Sequence, residues 1–299
     1  MTAGPGAGRA AALHRLDALL PPEMARRAED VGVQKTEMDA LSMLVLAVLA
    51  GAFIALGGVF STTALAGAAG APWGPARVLA GVVFSLGLIL VIVGGAELFT
   101  GNNLIVMAWA SRRVRTAAVL RSWILVYAGN FLGACATALV VYMAGTHRFG
   151  GGAFGATALA TAHAKLELHF LQAIALGILC NALVCLAVWL AYSARTTADR
   201  ILAIVPPISA FVAAGFEHSV ANMYFVPLGL FIATFDPEFA ARIGLAREAA
   251  ELSWMAFVWR NLLPVTVGNI VGGTLLVGAV YWLVYLRHKA AARSGGIAR

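Results

Sequence analysis

Two stretches set polar chemistry in the middle of apolar sequence. Residues 94–102 read Gly-Gly-Ala-Glu-Leu-Phe-Thr-Gly-Asn, and residues 214–222 read Ala-Gly-Phe-Glu-His-Ser-Val-Ala-Asn. Aligning Gly95 with Gly215 puts Glu97 on Glu217 and Asn102 on Asn222. Carboxylates and amides are costly inside a bilayer, and where they occur they mark ion or substrate paths. His218 is the only histidine in either stretch, and an imidazole with an unperturbed pKa of about 6.5 exchanges protons near neutral pH. Thr100 adds a hydroxyl to the first copy. One role for such a hydroxyl is to satisfy backbone freed where a helix breaks.

These groups need elements that hold them at depth. The chain has 299 residues, of which 61% are hydrophobic and 12% charged, with a mean hydropathy of +0.86. Soluble domains carry roughly 25% charged residues, so the composition is that of a multi-span membrane protein. Six segments approach the roughly 20 residues of a spanning helix: 41–65, 77–108, 117–143, 168–193, 201–232 and 262–286. The second and fifth are too long for one straight span, and each contains one polar stretch flanked by Gly or Pro. Both are expected to be broken helices, since non-helical backbone is tolerated at depth only inside protein or along a cavity.

The net charge of +7 does not point to nucleic acid. The basic residues lie between apolar runs and not on one basic face. They fall at Arg9, Arg15, Arg26, Arg27 and Lys35, at Arg112, Arg113, Arg115 and Arg121, at Arg195 and Arg200, and at Arg287, Lys289, Arg293 and Arg299. The positive-inside rule then puts both termini in the cytoplasm. Residues 1–12 read as disordered, and the segment from Pro21 to Val33 as an amphipathic helix. Cys135, Cys180 and Cys185 have no paired spacing and read as small buried hydrophobes.

The repeat reaches further. Gly129-Asn130 with Gly133 matches Gly268-Asn269 with Gly272, and Gly57 matches Gly177 at the spacing of the glutamates. Three spans per half put the halves in opposite orientations, and inverted repeats with paired broken helices place a substrate path at their interface. Asn102, Asn222, Asn130 and Asn269 read as interhelical ties. Glu97 and Glu217 read as structural acceptors for amides or for Asn and Ser groups of the opposite half. Trp109, Trp123, Trp189 and Trp282 read as interfacial anchors.

Gly-Ala-Glu-Leu-Phe-Thr-Gly-Asn at 95–102, Gly-Phe-Glu-His-Ser-Val-Ala-Asn-Met at 215–223 and Asn-Leu-Leu-Pro-Val-Thr-Val-Gly-Asn-Ile-Val-Gly-Gly at 261–273 resemble the formate–nitrite transporter family. The resemblance implies an all-α, aquaporin-like fold of six transmembrane helices in two inverted three-helix repeats. It also implies a homopentamer in a bacterial inner membrane, with one pore per protomer and no cofactor. The expected organisation is a cytoplasmic N-terminal segment at 1–40, a channel domain at 41–286 and a basic tail at 287–299. Formate is the expected substrate, with nitrite and hydrosulfide as alternatives. By the same resemblance Phe84, Leu88, Phe99 and Phe211 are constrictions, Leu98–Gly101 a mobile loop, His218 the pore histidine with Glu217 beside it, and Lys165 and Asn181 attract the anion. Lys165 also reads as a snorkelling interfacial lysine.

A small anion cannot cheaply pass a constriction of Phe and Leu, whereas its neutral acid can. His218 therefore has two readings. The anion draws a proton to the site and leaves as the acid, or a permanently neutral, hydrogen-bonded imidazole orients it. Thr100 is expected to supply its hydroxyl to the anion or to His218. A haem or metal enzyme would need several facing histidines within spans, and only His218 is deep. A water or glycerol facilitator would carry Asn-Pro-Ala, which neither repeat contains.

Overall fold

The computed structural model describes residues 17–287. The 1–12 stretch, Arg9, Arg15, Lys289, Arg293 and Arg299 lie outside them, as does all of the 287–299 tail except Arg287. The described residues form an all-α, multi-span fold. Helix α1 (Pro21–Glu37) opens with two prolines, whose absent N–H groups would be unpaired at a helix start anyway. Helices α2 (Ala40–Leu65) and α3 (Trp73–Gly94) follow, then a 3₁₀ turn (Gly101–Ile105) and the short α4 (Val106–Ala110). Next come α5 (Thr116–Met143), α6 (Ala153–Leu166), α7 (Phe170–Ser193), α8 (Thr197–Ala213) and α9 (Ser219–Phe235). Two short helices, α10 (Pro237–Arg242) and α11 (Ala246–Glu251), precede α12, a continuous apolar helix over Trp254–Tyr285. Among the described residues five helices are long and apolar enough to cross a membrane, and α9 is a shorter apolar one.

The second apolar segment begins at Trp73 instead of 77 and breaks after Gly94; the last begins at Trp254 instead of 262. That last helix runs through two π-helical stretches, Phe257–Leu262 and Gly272–Ala279. The first ends two residues before Pro264, whose ring and missing donor disturb α-helical pairing one turn back.

Glycines let two helix pairs approach backbone to backbone. A Cβ on Gly133 would run into the Val48 carbonyl between α5 and α2, and one on Gly272 into the Ile178 carbonyl between α12 and α7. Small residues at such crossings are how membrane helices gain close van der Waals contact without a hydrophobic drive. Gly57 and Gly177, paired by spacing, occupy different environments. Gly57 lies against Phe84 and Gly87, whereas Gly177 faces Val265 and Gly268. Ala47, which faces Gly129, holds the place corresponding to Gly177. The spacing misled because the stretch from the start of α2 to the first break is about ten residues longer than that from the start of α7 to the second.

Trp189 is buried and stacks on Tyr281 with ring centroids 4.0 Å apart, so it is a packing residue and not an interfacial anchor. Trp123 is likewise turned inward, donating through Nε1 to the Asn102 carbonyl at 3.1 Å.

Candidate functional site

Both polar stretches are helix breaks. Gly95 ends α3 with φ 79° and Gly215 follows α8 with φ 75°, the left-handed conformation that glycine adopts without strain. Beyond each, the backbone leaves the helix and its amides need partners. Asn130 supplies them for the first break. Its Oδ1 accepts from Phe99 N–H at 2.9 Å, and its Nδ2 donates to the carbonyls of Ala47 (2.7 Å) and Glu97 (2.9 Å). Asn269 repeats the arrangement at the second break. Its Oδ1 accepts from Ser219 N–H at 2.9 Å, and its Nδ2 donates to Gly177 and Glu217 carbonyls, both at 2.9 Å. Two asparagines read as interhelical ties are thus clamps that hold broken backbone to a neighbouring helix.

The glutamates are held by their own halves, not by the opposite one. Glu97 Oε1 pairs with Lys35 Nζ of α1 at 2.6 Å, and Oε2 accepts from Asn102 Nδ2 at 2.8 Å. Glu217 Oε1 pairs with Lys165 Nζ of α6 at 2.8 Å, and Oε2 accepts from Asn222 Nδ2 at 2.6 Å and from Asn261 Nδ2 at 3.3 Å. A buried carboxylate is tolerable when paired and hydrogen-bonded in this way. Lys35 and Asn261 were missed as site residues. A signal for Lys35 existed: it stands five residues before the start of α2, as Lys165 stands five before α7.

Two cavities flank the breaks. One of about 830 Å3 on the α6 side is lined by Arg77, Phe84, Lys165, Phe211, Glu217 and His218 among others. A smaller one of about 190 Å3 on the α1 side is lined by Lys35, Leu88, Glu97, Leu98 and Gly101 among others. Phe84 and Phe211 meet edge to face at 5.7 Å, and the Phe211 ring stacks on His218 at 5.8 Å. Phe84 and Leu88 lie one turn apart on α3 but line different cavities.

Thr100 Oγ1 and His218 Nε2 join the two breaks at 3.0 Å, both buried. His218 also caps α9, its Nδ1 accepting from Ala221 N–H at 3.0 Å. With Nδ1 an acceptor, the neutral ring carries its hydrogen on Nε2 and donates it to Thr100 Oγ1. The threonine's own hydrogen is left for another acceptor.

Three expected pathway residues, Phe99, Thr100 and Asn181, line neither cavity, and Thr100 reaches the α6-side one through His218. The Phe99 ring packs edge to face against Tyr127 at 4.9 Å and Trp123 at 6.1 Å, and Leu98 takes the cavity-facing position. Alternation along the non-helical segment explains the exchange: once Asn130 holds the Phe99 amide, adjacent side chains point opposite ways. Asn181 is fully buried, and its Nδ2 donates to the Asn269 carbonyl (2.7 Å) and Asn103 Oδ1 (2.9 Å), with the Thr100 carbonyl at 3.3 Å sharing one of the two hydrogens. It positions Thr100 instead of facing a ligand.

The sequence matches the profile described as Formate/nitrite transporter over residues 22–283. The chain belongs to that family. It is a membrane transport protein and not an enzyme. This transporter is 45% identical over 275 residues to the formate channel FocA of Escherichia coli (strain K12), covering 91% of this chain and 96% of the relative. It is 34% identical to the formate channel FocB of the same organism, covering 91% and 97%. Among solved structures it is similar to one titled "Pentameric formate channel with formate bound", with TM-score 0.78 and 43% identity, covering 83% of this chain and 98% of that one. A second, titled "FNT family ion channel", has TM-score 0.72 and 26% identity, covering 87% and 98%.

The Lys35–Glu97 pair ties α1 to the first break of the transporter, and its worth can be measured. Lys35→Ala strands a buried carboxylate and is expected to cost about 1–3 kcal/mol, less than a fully buried pair because the lysine reaches solvent. Adding Glu97→Gln should recover most of that loss, as read by a double-mutant cycle on thermal unfolding in detergent.

Proposed function

We propose that this chain is a formate channel of a bacterial inner membrane, with nitrite and hydrosulfide as the other anions its site would suit. The observation that carries the reading is the Thr100–His218 bond, set between two cavities with phenylalanines on one side and leucines on the other. Formate enters from the α6-side cavity past Phe84 and Phe211, exchanges hydrogen bonds with Thr100 and His218, and leaves past Leu88 and Leu98. Lys165, Glu217 and Asn222 form the wall of the outer approach. Glu97, Asn102, Asn130, Asn181 and Asn269 hold the two breaks in register. Phe99 supports the loop by packing, and a tilt of its segment would carry Leu98 out of the path.

Of the two readings of His218, the cap bond supports the hydrogen-bonding one. Its Nδ1 is committed to Ala221 N–H, so a ring charged by a second proton would give up that bond and set a cation at the positive end of α9. A neutral ring that donates from Nε2 beside the Thr100 hydroxyl presents two donors to a carboxylate. Hydrogen bonds to a charged group are worth about 1.5–3 kcal/mol each, enough to offset part of the desolvation between the constrictions.

The wider architecture follows the same reading. Six spans form two inverted three-helix repeats, an organisation supported by the matched Asn130 and Asn269 clamps and by like packing of α2 on α5 and α7 on α12. Both termini face the cytoplasm by the distribution of Lys and Arg, so α1 caps the cytoplasmic cavity and α6 the outer one. Residues 1–40, 41–286 and 287–299 serve as N-terminal segment, channel domain and tail. Five copies assemble, as in the pentameric relative, and each copy carries its own pore.

Proteoliposomes holding the full chain test this with labelled formate, nitrite and hydrosulfide between about pH 5 and pH 8. Formate flux well above that of empty vesicles, and above that of nitrite, is expected. Formate flux equal to that of empty vesicles would sink the reading.

A further inference from the structure

The lysine expected to attract anions at the outer cavity is not a bare charge. Lys165 Nζ sits 2.8 Å from Glu217 Oε1 and 5.5 Å from the centre of the Phe225 ring. The pair sums to zero, and its field falls off as that of a dipole. Arg77, on α3, lines the same cavity, and its hydrogen-bond partners are neutral. Its Nη2 donates to the Val212 carbonyl at 2.7 Å and its Nε to the Ala213 carbonyl at 3.5 Å. Among the described residues no carboxylate lies within ion-pair distance of it. The charged groups lining this cavity are Arg77, Lys165 and Glu217, a net charge of one positive unit with His218 neutral. The α1-side cavity holds only the Lys35–Glu97 pair, with no excess.

Helix ends do not cancel that excess. The carbonyls Arg77 caps belong to the C-terminal end of α8, worth about half a negative charge, while α9 presents its N-terminus to the same cavity with about half a positive one. The two offset each other. The two carbonyl bonds also spend few of the guanidinium's five N–H groups and fix its orientation beside Gly215, the residue at which the backbone breaks.

We propose that Arg77 is the anion-capturing group of the outer mouth, and that Lys165 acts chiefly to neutralise Glu217. This rests on the anion-channel reading above and names the residue that recruits the substrate. A single unpaired charge at a cavity mouth raises the local concentration of a monovalent anion about three- to tenfold at low salt. At about 1 M salt the screening length shrinks to about 3 Å and the advantage disappears.

The test is a charge series, Arg77→Lys, Arg77→Gln and Arg77→Glu, in proteoliposomes with formate outside, at about 20 mM and about 1 M salt. At low salt Arg77→Gln should raise the half-saturating formate concentration about three- to tenfold at unchanged maximal flux. Arg77→Glu should raise it further, and Arg77→Lys should stay within about twofold of the parent. At high salt all four should converge. If Arg77→Lys is as poor as Arg77→Gln, or the defect persists at high salt, Arg77 merely ties down the end of α8 and the proposal fails. Should the parent chain pass nitrite or hydrosulfide instead of formate, the same series run with that anion tests Arg77 independently of substrate identity.

Discussion

Replacement of His218 by alanine is expected to lower formate flux about 10- to 100-fold at pH 7, measured in proteoliposomes at matched protein density. The substitution removes the Nε2 donor that faces Thr100, and a hydrogen bond to an anion is worth about 1.5–3 kcal/mol. It also removes the N-cap of α9, at about 1 kcal/mol. His218→Asn separates the two roles proposed for the ring. Asparagine is a strong N-cap and retains an N–H donor, so if His218 acts by hydrogen bonding, the variant should keep a tenth or more of the flux with the parent's pH profile. A titrating proton carrier has no substitute in an amide. Equal loss in His218→Asn and His218→Ala would therefore restore the proton-transfer role.

The largest structural effect is expected at the two clamps. Asn269→Ala leaves the Ser219 amide and the Gly177 and Glu217 carbonyls without the partner they have now. Each buried group so orphaned costs about 1–3 kcal/mol, moderated where water or relaxation reaches it. We expect a total loss of ~3–5 kcal/mol, seen as a large fall in unfolding temperature in detergent, and flux should be lost because Ser219 directly follows His218. Asn130→Ala should behave alike, since it orphans the Phe99 amide and the Ala47 and Glu97 carbonyls. A neutral outcome at either position would mean that the breaks hold themselves.

Much of the fold was legible because a bilayer imposes simple demands. A span needs about 20 apolar residues, so the apolar segments stood out, and the two with polar interruptions had to break. Glycine at positions 95 and 215 marked the break points, and both adopt positive φ. Boundaries were less legible: the last helix begins at Trp254 because π-helical turns carry it through Pro264, which a pattern of apolar residues does not reveal. The pairing of Gly57 with Gly177 failed for a related reason. A fixed offset along the chain ignores the unequal linkers, whereas helix starts preserve the register that pairs Ala47 with Gly177.

A multi-span membrane protein with two broken helices, and Glu97, Thr100, Glu217 and His218 at the breaks, can be read from the residues alone. Composition, period and the cost of buried polarity are local properties, and each can be read from a window of residues. The partners emerge from helix packing: Lys35 for Glu97, Lys165 for Glu217, Thr100 for His218, Leu98 instead of Phe99 toward the path, and carbonyls instead of carboxylates for Arg77. These groups meet across 52 to 136 residues of chain. No local pattern records such meetings, because the geometry of helix crossings, and not sequence separation, sets which side chains share a space.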